Sequence, residues 1–216
     1  MRILRLTFVF CFLLVSTGFA QKISFGITDG GNINYTSVKS DKELTTRVAY
    51  LPLPSYSLGI VAAKDISPKV NARVGILWDR RRDLDQTNIE YTDDSANPMG
   101  TIPDRTNINQ YVKTELNLAY KIKGNFAIGS GLNFYTLVYS KTKIRDFRIG
   151  NQYKNYHYRT FNFDIPVFVS YSFYKFNTRL IFDKGIISRI KDKSGNIREY
   201  ENTLTFQFTY FIIGKP

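Results

Sequence analysis

The chain has 216 residues, a formal net charge of +12, one cysteine and one histidine. A single cysteine excludes an internal disulfide framework, and one histidine with one cysteine is too small a ligand set for the usual His/Cys zinc site. We therefore expect no metal site and no other cofactor.

The first twenty residues have the composition of a signal peptide. Arginines precede an apolar run from Leu6 to Val15, and the segment ends in small residues at Ala20. The run is shorter than the roughly 20 apolar residues that a membrane-spanning helix needs. We predict a cleaved signal peptide over 1–20 and a single domain over 21–216, because no linker or change of composition divides the remainder.

Apolar and polar residues alternate through most of the remaining chain, and a period of two is the signature of β-strands. In the third segment, for example, Val74 and Ile76 fall on one face and Arg73 on the other. In chain order, the predicted strands are 22–36, 54–66, 70–82, 109–122, 126–141, 157–173, 176–189 and 199–212. Pro166 lies inside the sixth and predicts a β-bulge or a strand break, because proline cannot donate to the ladder.

The connections between these strands alternate strictly between short and long. The short ones are at 67–69, 123–125 and 174–175, and the long ones are 37–53, 83–108, 142–156 and 190–198. A meander with short turns at one end and long loops at the other is typical of bacterial outer-membrane barrels. The pattern predicts a multi-pass protein of the bacterial outer membrane, with the short turns and both termini in the periplasm.

Alternation alone does not reveal which face lies inside, since soluble ligand-binding barrels alternate as well. Three features favour a membrane: charges of both signs on the polar face, aromatic residues at both ends of the apolar face, and strands of the 9–11 residues needed to cross a bilayer. We predict an all-β fold, a single eight-stranded antiparallel up-and-down transmembrane β-barrel. Its lipid-facing residues are expected to include Val74, Leu116, Leu132, Val167 and Phe206.

Charged residues near the middle of the strands form the first candidate site. The expected polar network of the lumen consists of Arg73, Lys113, Glu115, Asp164, Arg179 and Asp183. Eight strands enclose little more space than the inward side chains fill. The favoured interpretation is a set of ion pairs that plugs a non-conducting lumen, and the alternative is a porin-like pathway for a solute.

The long connection after the fifth strand mixes basic with aromatic residues. Its predicted basic patch consists of Arg145, Arg148 and Lys154. Such mixtures can bind nucleic acid, but an exported protein does not meet that partner. The expected partners are anionic headgroups of outer-membrane lipids and other envelope proteins, and the alternative is a solvated loop without a partner. The oligomeric state is left open by the sequence.

Ser140 and His157 are the candidate pair for catalysis. In the simplest register of the fifth and sixth strands they lie opposite each other on the lipid side. A hydroxyl beside an imidazole can attack an acyl ester, so a lipid-modifying enzyme is an alternative function. No orienting third group is recognisable, and we expect a non-enzymatic protein without catalytic residues.

Two stretches resemble the PorT-like family of outer-membrane barrels. One runs from Leu58 through the Ser-Pro-Lys turn to Trp78, and the other is the acidic-Ile-Pro strand that begins at Phe163. The resemblance extends over about 22–212. It implies an outer-membrane β-barrel domain and, because some members are linked to protein secretion, an accessory role in a secretion or envelope system.

Overall fold

The computed structural model describes residues 23–40, 48–87, 105–144, 158–190 and 197–214. Within these ranges the strands are β1 (Ser24–Ser40), β2 (Val48–Ser67), β3 (Val70–Thr87), β4 (Arg105–Lys123), β5 (Phe126–Ile144), β6 (Phe161–Phe173), β7 (Phe176–Gly185) and β8 (Ile197–Ile213). The same ranges contain no helix that is long and apolar enough to cross a membrane. The predicted signal peptide lies outside the described residues.

Each strand pairs antiparallel with the next, and β8 pairs with β1 along its length, so the sheet closes into an eight-stranded up-and-down barrel. A closed sheet leaves no unpaired edge, which allows its backbone polar groups to be satisfied inside a lipid phase. The predicted strand number, order and topology are confirmed.

Several strands are longer than predicted at the end away from the short turns. β2 begins at Val48 and β3 continues to Thr87, and these two residues are paired. Charged residues at 80–83 interrupt the apolar pattern in the sequence, but the backbone ladder does not depend on side-chain polarity. β7, by contrast, ends at Gly185 and is shorter than predicted.

The three short turns join β2 to β3, β4 to β5 and β6 to β7. In the first, the Ser67 hydroxyl accepts hydrogen bonds from the backbone N–H groups of Lys69 and Val70, at 3.3 and 3.1 Å. The other two need a left-handed residue, and Gly124 and Tyr174 supply it with φ of 56° and 58°. We call this end of the barrel the short-turn end.

Pro166 does not produce the predicted bulge or break. β6 is continuous across it, and Pro166 pairs with Asp183 of β7. On the other side, Ser130 pairs with Val167 and Asn133 with Asp164 in one unbroken register, and the two positions between them are unpaired. A bulge requires an inserted residue, and Pro166 inserts none. Its missing N–H donor only interrupts the ladder locally, so the prediction was wrong.

A bulge occurs instead in β5, at Val138. Gln110 of β4 pairs with Tyr139 and Tyr111 pairs with Leu137, so Val138 is the extra residue. Val138 and Tyr139 are both exposed on the exterior. The extra residue reverses the alternation beyond this point, as β-bulges do, and Ser140 lies on the lumen side of the wall.

The two faces of the barrel have opposite polarity. The exterior carries, at 41% to 59% exposure, the aliphatic and aromatic residues Val74, Leu116, Leu132, Val167 and Phe206. Arg73, Glu115 and Arg179 point inward, and none is more than 6% exposed. A soluble ligand-binding barrel has the reverse arrangement, so the architecture is that of a transmembrane barrel.

Aromatic rings border this apolar exterior at both ends. Near the short turns, the exposed rings include Tyr120, Phe126, Tyr171, Phe173 and Tyr210. Phe126 and Tyr171 pack across neighbouring strands with ring centroids 4.7 Å apart. Trp78 and Phe161 are exposed toward the opposite end. Rings at these two levels suit the interfaces between hydrocarbon and headgroups.

Candidate functional site

The lumen holds the six charged residues of the predicted polar network, and all six are buried. Strict alternation along the strands brings them inward: Arg73 from β3, Lys113 and Glu115 from β4, Asp164 from β6, and Arg179 and Asp183 from β7. Buried charges need partners because each loses its hydration. Charged contacts divide the described lumen into three clusters along the barrel axis; the six predicted residues belong to the first two.

The central cluster is built around Glu115. One carboxylate oxygen lies 3.1 Å from Lys113 Nζ, and the other lies 3.6 Å from Arg179 Nη1 and 3.8 Å from Arg73 Nε. Lys113 Nζ also lies 3.3 Å from Asp183 Oδ2. A single carboxylate therefore lies within 4 Å of three cations, and among the described residues only Lys113 has a second carboxylate within that distance.

The guanidinium of Arg73 is held mainly by neutral acceptors. It donates to Gln207 Oε1 at 3.0 Å, Thr209 Oγ1 at 3.1 Å, Thr28 Oγ1 at 3.3 Å and Asn177 Oδ1 at 3.5 Å. These acceptors belong to β8, β1 and β7, whereas Arg73 belongs to β3. The side chain thus crosses the lumen and contacts the far wall.

Arg179 stacks on Phe168, with its guanidinium carbon 3.7 Å from the ring centroid. A buried cation gains from the negative face of an aromatic ring in this arrangement. Phe168 in turn lies against Gly129, where an added Cβ would collide with its ring and with the Leu118 carbonyl. The absence of a side chain at Gly129 therefore leaves the space that the Phe168 ring occupies.

The upper cluster, farther from the short turns, is centred on Arg81. Its guanidinium lies 2.8 Å from Asp79, 3.1 Å from Glu201 and 3.6 Å from Asp164. It also lies over the Tyr135 ring, 4.1 Å from the centroid. Arg81 lies within the predicted strand 70–82 but was missed as a lumen residue, because its charged neighbours Arg80 and Arg82 hide the alternation of polarity. The signal that could have found it is the alternation of inward residues continuing through 77, 79, 81 and 83.

The outer cluster closes the described lumen above Arg81. Arg189 contacts Asp83, and its Nε lies 2.8 Å from Glu199. Asn107 donates to the other Asp83 oxygen at 2.8 Å. Burial lowers the pKa of Arg189, but the attraction of these carboxylates outweighs it and holds the pKa well above its usual value. Arg189 lies beyond β7 and was not predicted as a site residue.

The remaining candidate residues fall into two groups. The basic patch of Arg145, Arg148 and Lys154 lies outside the described residues, as does His157. Ser140 is described, and its hydroxyl donates to Asn109 Oδ1 at 2.8 Å. The expected position of Ser140 on the lipid side was wrong, because the bulge at Val138 turns it toward the lumen. In the described part of the chain, no three His, Cys, Asp or Glu residues form a group that could hold a metal ion.

The comparisons with known proteins concern the fold. No family model matches this chain and no curated protein matches it, so the resemblance to the PorT-like family is not confirmed. Several solved outer-membrane proteins match most of its length with low identity.

Ail, the attachment invasion locus protein of Yersinia pestis, is 10% identical, with 88% of this chain and 99% of that one covered and a TM-score of 0.45. Neisserial surface protein A is 10% identical, with 86% and 96% covered and a TM-score of 0.47. OprG of Pseudomonas aeruginosa is 11% identical, with 90% and 98% covered and a TM-score of 0.38. Sequence identities of 10–11% and TM-scores below 0.5 assign no function to this chain.

Proposed function

We propose that this protein is a non-enzymatic, integral outer-membrane barrel whose lumen is plugged by ion pairs, and that its long connections make its functional contacts. The observation that carries the proposal is the set of charged contacts that spans the lumen at three levels, around Glu115, Arg81 and Arg189. The barrel then serves as an anchor in the membrane.

Narrowness and contact geometry support a plugged lumen. Eight strands leave room for side chains and little else. Arg73 reaches from β3 to Gln207 on β8, and Arg81 reaches from β3 to Asp164 on β6. A passing ion would have to separate such pairs in a region without bulk water, where an unpartnered charge costs about 3–5 kcal/mol.

The proposed orientation puts the short turns and both termini in the periplasm, as in bacterial barrels with this pattern of connections. The long connections then face the cell exterior, and the patch of Arg145, Arg148 and Lys154 rests against anionic lipid headgroups. Each basic residue adds about 1 kcal/mol to such binding. Other envelope proteins are the second class of partner for these connections.

Planar-bilayer recording of the purified protein tests the plug. We expect no large, steady conductance from the wild-type protein, and brief or small openings from Arg81→Ala, which removes the centre of the upper cluster. Lys121→Ala is the matched control, because Lys121 is a basic residue at the short-turn rim, outside the three clusters. Large steady conductance from the wild-type protein would overturn the proposal.

Neutralising the patch tests the loop contact. The triple variant Arg145→Gln, Arg148→Gln and Lys154→Gln should bind vesicles of anionic glycolipid at least tenfold more weakly than the wild-type protein. Lys64, Lys69 and Lys121, near the short turns, provide a control triple change of equal charge. Equal binding by the patch variant and the wild-type protein would reject this part of the proposal.

A further inference from the structure

The lumen is not filled at the short-turn end. A cavity of about 110 Å³ lies there between the central cluster and the turns. By volume it could hold about three or four water molecules, at about 30 Å³ each. The space exists because the inward positions at this level carry the small side chains Ala63, Ala119, Ala127 and Ser170.

The cavity lining is positively charged. Among the described residues that line it, the charged ones are Arg73, Arg179 and Lys121, and none is acidic. Lys121 pairs with Asp65 at the exposed rim, at 3.0 Å. At the floor, the two guanidinium groups share one close carboxylate, that of Glu115, at 3.8 and 3.6 Å.

The charge of this floor is incompletely neutralised. Glu115 also pairs with Lys113, and Asp183 pairs with Lys113 and attracts Arg179, so two carboxylates face the three cations Arg73, Lys113 and Arg179. The four acceptors around Arg73 are amides and hydroxyls, which satisfy its hydrogen bonds but carry no formal charge. An anion above the two arginines would therefore gain from a positive potential that is screened little in a narrow, low-dielectric lumen.

We propose that this cavity is a binding site for one small oxyanion of the phosphate type. Arg73 and Arg179 form the positive floor, and the hydroxyls of Ser170 and Ser172 with the Asn177 amide lie along the wall as hydrogen-bonding groups. Arg73 contributes its positive charge, because its terminal N–H groups already donate to Gln207, Thr209, Thr28 and Asn177; the hydrogen bonds to the anion come from the wall. The site opens toward the short turns, where Gly124 and Asn125 form part of its rim.

Titration of the full-length barrel in detergent with inorganic phosphate tests this, at constant ionic strength in sodium chloride and read by calorimetry and by ³¹P line width. We expect saturable binding of one phosphate per barrel and a rise in the thermal midpoint. Ala119→Phe should weaken binding at least tenfold, because the ring fills the cavity and leaves both arginines in place. Ala72→Phe is the matched control, since Ala72 lies on the lipid-facing side, and it should bind as the wild type does.

Two further variants keep the test decisive if Ala119→Phe does not fold, as judged by heat-modifiable migration. Ala127→Phe fills the same cavity from β5, and Arg73→Gln removes half of the floor charge; both should lose phosphate binding. Absence of saturable binding by the wild-type protein would overturn the proposal, and so would wild-type affinity in the cavity-filling variants. Binding lost equally in Ala72→Phe would mean an adventitious ion only.

Discussion

Lys113 and Glu115 lie two residues apart on β4, both point into the lumen, and their charged atoms are 3.1 Å apart. On a strand, residues at this spacing share a face. The pair is therefore a local arrangement, set by the sequence of one strand. Of the partners that complete it, Arg73 comes from the neighbouring strand β3, and Arg179 comes from β7, three strands away around the barrel.

Replacing Glu115 by Gln should destabilise the folded barrel by about 3–5 kcal/mol, because three buried cations lose their shared carboxylate. Reversible urea unfolding in lipid vesicles or detergent would measure this loss. The control is Asp65→Asn, which removes the exposed pair with Lys121 and should cost less than about 1 kcal/mol. Equal losses in the two variants would contradict a role for Glu115 as the centre of the cluster.

An added charge on the lipid-facing exterior should lower the free energy of unfolding, and the loss should grow with the depth of the residue in the membrane. Leu116→Arg places a guanidinium near the middle of the apolar exterior, and we expect a loss of about 2–4 kcal/mol in unfolding free energy. Ile122→Arg makes a similar change one residue from the β4–β5 turn and should cost about 0–1 kcal/mol. If unfolding in vesicles gives the same value for both, the exterior at Leu116 does not face hydrocarbon.

Gly129 should not tolerate a side chain. The added methyl of Gly129→Ala would collide with the Phe168 ring, and overpacking of this kind costs about 1–3 kcal/mol. Displacing the ring would also disturb the stacked Arg179. Gly31→Ala is the control, because a Cβ there meets no atom within 4 Å. The thermal midpoint should fall for the first variant and stay within a few degrees for the second.

Single-cysteine variants can locate the β5 bulge, since the lone natural cysteine lies in the predicted signal peptide. A membrane-phase maleimide should label Val138→Cys and Tyr139→Cys, which are adjacent and both outward-facing. Ser140→Cys should resist the same reagent because that position faces the lumen. Strictly alternating labelling of 138 and 140, with 139 protected, would show that the bulge is absent.

Much of the architecture could be predicted from local patterns. The alternation that puts Val74 outward and Arg73 inward is a property of each strand by itself, and the turns at 67–69, 123–125 and 174–175 are short enough to force neighbouring strands together. Strand number and the three pairs β2–β3, β4–β5 and β6–β7 follow from these two facts, whereas the other pairs and the closure of β8 on β1 were expected from the barrel pattern as a whole. The boundaries were less accurate because β2 and β3 remain paired where their side chains no longer alternate in polarity.

The sequence by itself determined that apolar side chains form one face and charges the other, because side-chain direction on a strand depends only on residue parity. Tertiary structure decided which partners the charged side chains contact. Arg81 joins Asp164 and Glu201 from distant strands, and Pro166 is accommodated while an unremarkable Val138 becomes the bulge. Those outcomes depend on the register between strands and on the curvature of the closed wall, which no single strand encodes.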